Sequence, residues 1–445
     1  MIAQATGLGK CNGGGQIRQS AREGYTSDAV CWGRNLTSEN LPRREFIAIV
    51  AALMAIEALA LDIMLPALPD IGAAFQVADP NDRSLVLTVF LIGFGLPQVV
   101  FGPLSDRFGR RQPILIGLAV YIACALASPA VGAFSALLLL RFAQGVAAAA
   151  IRVGILSAVR DRYKGAAMSE VMSVAMSIFL LVPLLMPGVG QIILLAGPWQ
   201  LIFIAMGALA AIVGVWTFLR LPEPLAAANR RPLDLRSVAD GFAIVIRNRV
   251  AFSYGLSGAF LLGIILALIN TSQQVYVDIY GLGPYYPLAF AAMPAAAIIG
   301  FFVNSRLVAK FGMRRLSHGA MLLFLAGSIA WFVMVQLATP PLWLFLLMVI
   351  LVTPMVAFGF PNTGALAMEP LGEVAGTASA VFGAVQTVGG AILGWAVAQT
   401  FDGTLRPVMA SLCIFGTCVL ACLLVAEKGR LFSDGVATTA PAVDT

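Results

Sequence analysis

Charged residues are scarce in this sequence. Asp, Glu, Lys and Arg make up 11% of its 445 residues, whereas hydrophobic residues make up 60%. A water-soluble protein of this length needs far more polar surface, because about a quarter of the residues in an average globular protein are charged. The composition therefore excludes a large soluble protein and indicates an all-α membrane protein with many hydrophobic segments.

Histidine and cysteine are also rare, and their spacing fits no metal site. The sequence contains one histidine, His318, and six cysteines. Two cysteines lie in the polar N-terminal tail and four within apolar runs, where cysteine packs as a small hydrophobic residue. No nucleophile arrangement and no phosphate-binding glycine loop is present. We therefore expect no metal, no organic cofactor, no disulfide framework and no enzymatic activity.

Hydrophobic runs of about 20 residues recur along the chain, and each is long enough to span a bilayer as a helix. The sequence predicts twelve such helices, over 46–68, 84–104, 113–131, 136–159, 168–195, 199–220, 250–277, 285–307, 316–338, 341–363, 374–400 and 405–426. The longest polar interruption divides them into two six-helix halves. The predicted domains are a disordered cytoplasmic tail (1–43), an N-terminal half (44–220), a cytoplasmic linker (221–249), a C-terminal half (250–426) and a cytoplasmic tail (427–445).

The basic residues lie mostly in alternate loops and in the two tails. This bias predicts that both termini are cytoplasmic and that Arg83 and Arg406 lie in outer loops. The net charge of +6 is compatible with a nucleic-acid partner only if the basic residues cluster on a soluble face, and they do not. We expect a monomer that is surrounded by lipid and has no nucleic-acid partner.

A charged turn lies between two of the apolar runs, at Gly102–Arg111. Its charges must reach water at a membrane surface, because the runs on both sides cross the lipid. Gly109 permits a sharp reversal and Gly102 a close approach of two helices, while Asp106 can pair with a nearby arginine or cap the next helix. The other charged residues of the turn are Arg107, Arg110 and Arg111, and together with Gly102, Asp106 and Gly109 they form a candidate gating motif. An ordinary positively charged loop would explain the arginines but neither Asp106 nor the glycines.

Four charged residues stand out because they lie away from the ends of the predicted spans: Glu57 and Asp62 in the first span, and Arg141 and Arg152 in the fourth. Charge in a spanning helix is costly, so each residue needs a partner and is a candidate for function. We hypothesise that Asp62 pairs with Arg141, and Glu57 with Arg152. Burial and a nearby guanidinium act in opposite directions on the proton affinity of a carboxylate, so such pairs can couple proton flow to substrate movement. Buried structural ion pairs are the alternative.

Polar residues interrupt the seventh span at 270–274. Five consecutive polar side chains cannot all face lipid, and Asn270 and Gln274 share one helix face. The candidates to line a substrate cavity are Asn270, Gln273, Gln274 and Tyr276, with Gln386 and Gln98 as weaker candidates. Hydrogen bonding between helices explains each of them equally well. Apolar walls with few polar groups would suit an amphipathic, drug-sized molecule.

The charged turn at Gly102–Arg111 resembles the loop between helices two and three of the major facilitator superfamily of transporters. Further motifs, at 60–71, 140–145, 159–161 and 277–281, resemble the Bcr/CflA branch of drug/proton antiporters. The resemblance implies the major facilitator fold, with substrate held between two halves and exposed alternately to the two sides. It also implies proton-driven export of antibiotics from a bacterial cytoplasm through the inner membrane.

The resemblance assigns individual residues as well. Asp62 matches the acidic residue of the branch's D-x-x-L-P motif. Arg141 and Gln144 match its R-x-x-Q-G motif, which is linked to proton coupling, and Gln144 is a candidate to contact substrate. Glu57 and Arg152 match no pattern of the branch.

The fifth span carries an altered form of the antiporter motif of the superfamily. The residues assigned to the motif are Pro183, Pro187 and Gly190, whereas Met186 and Gln191 replace two of its glycines. The prolines kink the helix, and the glycine lets it pack against the other half. Uptake or export of a native metabolite, such as a sugar or an organic acid, stays open as an alternative to drug export. That alternative predicts more fixed polar or cationic groups in the cavity.

Overall fold

The computed structural model describes residues 41–225, 230 and 235–432. Regular structure in this part of the chain is helical throughout, as the hydrophobic runs predict. The expectations for residues 1–40, for most of 226–234 and for 433–445 fall outside the described residues.

Among the described residues, eleven helices are long and apolar enough to cross a membrane, and one bent pair makes a twelfth span. We label the spans α1 to α12. Their bounds are Arg43–Asp62 (α1), Leu85–Gly95 with Gln98–Phe108 (α2), Arg111–Ala127 (α3), Phe134–Arg162 (α4), Gly165–Ala196 (α5), Gln200–Arg220 (α6), Arg249–Gln273 (α7), Ala292–Phe311 (α8), Met313–Leu337 (α9), Leu342–Met368 (α10), Ala375–Gln399 (α11) and Arg406–Ala426 (α12). The predicted twelve-helix membrane fold is confirmed, with span ends that differ by several residues.

The second span is bent rather than straight. Its two helices meet at 45° around Leu96 and Pro97. Proline has no backbone N–H, so the helical hydrogen bond that this residue would donate is lost. The hydrophobic run 84–104 predicts one continuous span, because hydropathy is insensitive to a single missing hydrogen bond.

The helices pack as two groups of six. In the first group α1 contacts α5, α2 contacts α4, and α3 contacts α4 and α6. In the second group α7 contacts α10, α11 and α12, while α9 packs on α10 and α12. The groups meet mainly where α2 faces α11 and where α5 faces α8. We call the end of the bundle where α1 begins and α12 finishes the terminal end, and the other the opposite end.

Two glycines bring α2 and α4 into close contact. An added Cβ at Gly145 would collide with the carbonyl oxygen of Phe90, and one at Gly93 with that of Phe142. Small residues let helix backbones approach closely, which is a main source of packing energy inside lipid. The close approach predicted at Gly102 is wrong, because a Cβ there would meet no atom within 4 Å. The tight contact is made deeper in the span.

Short helices complete the fold. They are Leu68–Ala74 after α1, Leu235–Arg247 in the linker, and Tyr286–Phe290 before α8. The linker helix contacts α7 and α11. It does not follow from the search for long apolar runs, because an amphipathic helix interleaves polar and apolar residues. A π-helix over Gln274–Ile279 extends α7, and such irregular turns often lie at functional sites.

Candidate functional site

The charged turn between α2 and α3 is held by ion pairs. Gly109 has φ +90°, a left-handed conformation that glycine adopts without strain, and it reverses the chain as predicted. Arg110 is buried, with its Nη1 2.6 Å from Asp106 Oδ1 and its Nε 2.7 Å from Asp161 Oδ2 of α4. Arg107 is exposed. The predicted pairing of Asp106 with a neighbouring arginine is therefore confirmed.

The cap of α3 comes from a residue that the sequence reasoning missed. The carboxylate of Glu223, which follows α6, accepts hydrogen bonds from the backbone N–H groups of Arg110 (2.8 Å) and Arg111 (3.0 Å). A carboxylate at a helix N-terminus satisfies unpaired N–H groups and is stabilised by the helix dipole. Glu223, and not Asp106, caps the helix. No short motif could reveal this contact, because the two segments are far apart in the sequence.

The corresponding turn of the C-terminal half is held by different charges. Gly312, between α8 and α9, has φ +78°. Arg314 Nη2 lies 2.7 Å from Glu369 Oε2, and its Nε lies 2.9 Å from Glu427 Oε1. Tyr254 donates a 2.7 Å hydrogen bond to Glu427. Burial raises the pKa of the Glu427 carboxyl, but the Tyr254 hydrogen bond and the Arg314 guanidinium outweigh burial and hold that pKa below its usual value.

A cavity of about 420 Å³ lies between the two groups of helices. Both groups contribute to its wall, and most of the lining side chains are apolar. The charged, amide and hydroxyl side chains that line it are Glu57, Asp62, Gln98, Arg152, Thr353, Gln386 and Thr387. Cavities of this size, with apolar walls and few polar groups, are typical sites for drug-sized molecules.

Glu57 and Arg152 form an ion pair in the cavity wall, as predicted. Arg152 Nη1 lies 2.7 Å from Glu57 Oε2, and the contact joins α1 to α4. The guanidinium also lies 5.9 Å from the ring centre of Phe94 and 5.4 Å from that of Phe179. Because aromatic faces attract cations, both rings stabilise the arginine charge.

The predicted pair of Asp62 and Arg141 is wrong. Arg141 is fully buried and donates to the backbone oxygens of Ala60 (2.9 Å) and Val86 (3.1 Å) and to the side chain of Gln144 (2.6 Å). Carbonyl oxygens thus take the place of the expected carboxylate. Asp62 lines the cavity instead, and it forms no ion pair with any residue that the structure describes.

Only some of the predicted substrate-contacting residues lie at the cavity. Gln386 lines it. Gln144 is buried beside Arg141 and does not reach it, and Asn270 and Gln273 are buried in the α7 packing without lining it. A run of polar residues therefore identified an unusual segment of α7 but not the direction of each side chain.

Tyr276 lies in an aromatic cluster beside the cavity. Its ring centre is 6.0 Å from that of Tyr286 and 5.7 Å from that of Phe345. Tyr276 lines a separate small pocket of about 20 Å³, together with Ser272. The hydroxyls of Ser272 and Tyr286 lie 3.0 Å apart.

Hydrogen bonds at the opposite end join the two halves. Gln274 Nε2 donates to Asn81 Oδ1 (2.6 Å), and Asn81 Nδ2 donates to the carbonyl of Phe401 (3.1 Å). Gln399 Nε2 donates to Asp82 Oδ1 (3.2 Å). Among the hydrogen bonds between described residues, those that join the halves all lie at this end. We call Asn81, Asp82, Gln274 and Gln399 the lock.

The fifth span packs against α1 through its glycine. Pro183 and Pro187 lie inside α5, and Pro183 lines the cavity. A Cβ at Gly190 would collide with the carbonyl oxygen of Ile63, where the chain leaves α1. The predicted packing of Gly190 against the other half is therefore wrong, because this face of α5 is turned towards α1 of its own half.

Known proteins share both the sequence pattern and the fold. Residues 50–394 match the Major Facilitator Superfamily. The chain is 28% identical over 385 residues to a bicyclomycin resistance protein homolog of Haemophilus influenzae, which covers 85% of this chain and 94% of that protein. It is 28% identical over 357 residues to the multidrug resistance protein MdtL of Salmonella heidelberg, which covers 80% of this chain and 88% of that protein. The resemblance predicted from the motifs is confirmed.

The fold is similar to that of a bacterial homolog of the human lysosomal transporter Spinster, solved in an inward-facing and unoccupied conformation. The TM-score is 0.66 at 15% identity, across 88% of this chain and 96% of that chain. At this identity the likeness shows the fold alone. The superfamily consists of secondary transporters and not of enzymes. With twelve membrane spans and a family match over most of its length, this chain belongs to the Major Facilitator Superfamily.

Proposed function

We propose that this protein is a proton-coupled antiporter that exports small amphipathic drugs or toxic compounds from a bacterial cytoplasm. Relatives named for resistance to bicyclomycin and to multiple drugs support the substrate class. The cavity supports it as well, because its wall is mainly apolar with few polar groups. The observation that carries the proposal is Asp62, a carboxylate that lines the cavity without an ion-pair partner among the described residues.

Asp62 is the proposed proton-binding group. The proton affinity of a carboxylate depends on its hydration and on nearby charge. Among the residues that the structure describes, no guanidinium pairs with Asp62, so water and substrate in the cavity decide whether it carries a proton. Substrate and proton occupy the cavity in turn: Asp62 releases its proton when the cavity takes up substrate from one side, and it binds a proton again after the cavity has opened to the other side, which links the two fluxes.

The neighbouring charges have supporting roles in this proposal. Arg141 ties α1, α2 and α4 together, with one hydrogen bond to the carbonyl of Ala60, two residues before Asp62, and it acts as a positioning residue. The pair of Glu57 and Arg152 supplies a second polar region of the same wall.

The protein is proposed to lie in the inner membrane as a monomer, with both termini in the cytoplasm. Basic residues concentrate at the terminal end of the bundle, which is typical of cytoplasmic loops. The lock then closes the periplasmic side, and export requires the lock to open. The charged turn at Gly102–Arg111 lies on the cytoplasmic side, where it controls the opening of the cavity to the cytoplasm.

Everted membrane vesicles provide the test. Bicyclomycin uptake driven by a proton gradient should be abolished in Asp62→Asn, while the amount of protein in the membrane stays normal. Asp70→Asn is the matched control, since Asp70 lies in the next short helix and is exposed. Full transport by Asp62→Asn would refute the assignment. Proton-dependent accumulation of a sugar or an organic acid, without drug transport, would favour the metabolite alternative.

A further inference from the structure

The cavity wall formed by α9 and α10 contains polar atoms without partners. Trp331 of α9 and Thr353 of α10 both line the cavity, and they are 0% and 7% exposed. Trp331 Nε1 and Thr353 Oγ1 form no hydrogen bond with any described residue. Ser328 Oγ, three residues before Trp331 on the same helix face, is also buried without a partner.

The Thr353 hydroxyl differs from other threonine hydroxyls of this chain. A threonine in a helix commonly satisfies its hydroxyl by donating to a carbonyl one turn earlier, as Thr271 does to Ala267 (2.7 Å) and Thr88 to Ser84 (3.0 Å). Thr353 does not. An unpaired buried polar group destabilises a protein unless something else supplies the missing hydrogen bond. Among the described residues with unpartnered buried side-chain atoms, only Trp331 and Thr353 line the cavity, so these two are the ones that a ligand there is placed to complete.

The chemistry of Trp331 defines what that ligand must offer. An indole N–H is a donor only, so its partner must be a hydrogen-bond acceptor. A threonine hydroxyl can also donate to an acceptor. The carboxylates and the guanidinium of the cavity lie on helices of the other half, α1 and α4. The α9–α10 wall therefore provides neutral donors in otherwise apolar surroundings.

The geometry points to a substrate subsite at Trp331 and Thr353 that binds an acceptor oxygen, such as a carbonyl or sulfonyl group. This inference rests on the proposed function, since it describes the cargo of the same cavity. Substrates of this class have an apolar body that fills the cavity, and a neutral acceptor at the end that contacts α9 and α10. An ordered water is the competing occupant, and it would need two or more polar partners at that place.

The test is a binding measurement that does not depend on transport. Purified protein in lipid nanodiscs is titrated by calorimetry with (4-benzoylbenzyl)triphenylphosphonium, which carries a ketone, and with (4-benzylbenzyl)triphenylphosphonium, in which a methylene group replaces the ketone. Thr353→Val removes a donor with little change of shape, whereas Trp331→Phe removes the indole N–H together with one ring, so its effect is compared with that of the Trp395→Phe control described below. Each of the two cavity variants should weaken binding of the ketone compound roughly 2- to 12-fold, the value of one hydrogen bond, and leave the other compound unchanged.

Two matched controls are available in the same chain. Trp395 Nε1 and Thr217 Oγ1 are also buried without partners, but neither residue lines the cavity. Trp395→Phe and Thr217→Val should leave the affinities for both compounds unchanged.

Each other outcome overturns the subsite. Equal weakening for both compounds would show a general packing role. Unchanged affinities in Trp331→Phe and Thr353→Val would show that water satisfies the donors. Failure of both compounds to bind the wild type would show that the cavity does not accept this class. Export can fail in vesicles while the binding difference persists, so the two proposals are tested separately.

Discussion

Gln274 and Asn81 share a 2.6 Å hydrogen bond that joins the two halves at the opposite end of the bundle. Gln274 begins the π-helix that extends α7, and Asn81 lies in the short helical turn before α2. Each side chain therefore lies on an irregular segment, where a small change of backbone can separate the pair. The contact is well placed to govern which side of the cavity opens.

Removing this contact should favour the state that is open at the opposite end. Asn81→Ala and Gln274→Leu should each increase the population with a long distance between spin labels at residues 132 and 403, in a cysteine-free background. The pair Asn304 and Asn362 provides the control, because its 2.8 Å hydrogen bond lies within one half. Asn362→Ala should leave the distance distribution unchanged. An unaltered distribution in both lock variants would show that the lock does not set the conformational balance.

The fold could be read from the sequence because each span is a long apolar run, and lipid requires such runs to be helical. The bend at Pro97 and the π-helix at Gln274–Ile279 could not, since both depend on a few backbone hydrogen bonds. Close helix contacts were also hard to place. Gly102 and Gly145 both lie within predicted spans, yet of these two only Gly145 faces a neighbouring backbone.

Part of the candidate functional site could also be predicted from the sequence. A charge inside lipid needs a partner, and this requirement predicted the pair of Glu57 and Arg152. Arg141 satisfied the same requirement with backbone carbonyls, which no side-chain pattern reveals. The contacts of Glu223 and Asn81 join segments far apart in sequence, and a single sequence holds no trace of such contacts.

Removing one member of the ion pair of Glu57 and Arg152 should destabilise the protein more than removing both members. Arg152→Gln leaves a buried carboxylate without its partner, and Glu57→Gln leaves the guanidinium, so each should destabilise the protein by about 3 kcal/mol. The double variant should recover most of that loss. Thermal unfolding in detergent of the wild type, the two single variants and the double variant measures these changes in stability as a double-mutant cycle.

The control for this cycle is the ion pair of Arg43 and Glu170, whose side chains are 44% and 61% exposed. Its single variants should change stability by less than about 1 kcal/mol, because water screens exposed charges. Additive losses in the double variant of Glu57 and Arg152 would show that the two residues do not stabilise each other.

Gly190 should tolerate no side chain, whereas Gly188 should accept one. A Cβ at Gly190 would collide with the Ile63 carbonyl and push α5 away from the end of α1, next to Asp62. Gly190→Ala should therefore lower both the melting temperature and transport. A Cβ at Gly188 would meet no atom within 4 Å, so Gly188→Ala should be neutral or stabilising by up to about 1 kcal/mol. Equal behaviour of the two variants would exclude a specific contact at Gly190.

Glu427 should make the protein less stable in acid. Its pKa in the folded protein lies below the usual value of 4.5, because Tyr254 and Arg314 stabilise the ionised form more than burial opposes it. The contribution of this carboxylate is therefore complete above pH 4.5 and is lost as the pH falls through the folded pKa. Glu427→Gln should lower the melting temperature at pH 7, and the difference from the wild type should shrink towards pH 3. Tyr254→Phe removes one of the stabilising hydrogen bonds and should show a smaller effect with the same pH dependence. A difference that stays constant with pH would mean that Glu427 acts through shape and not through its charge.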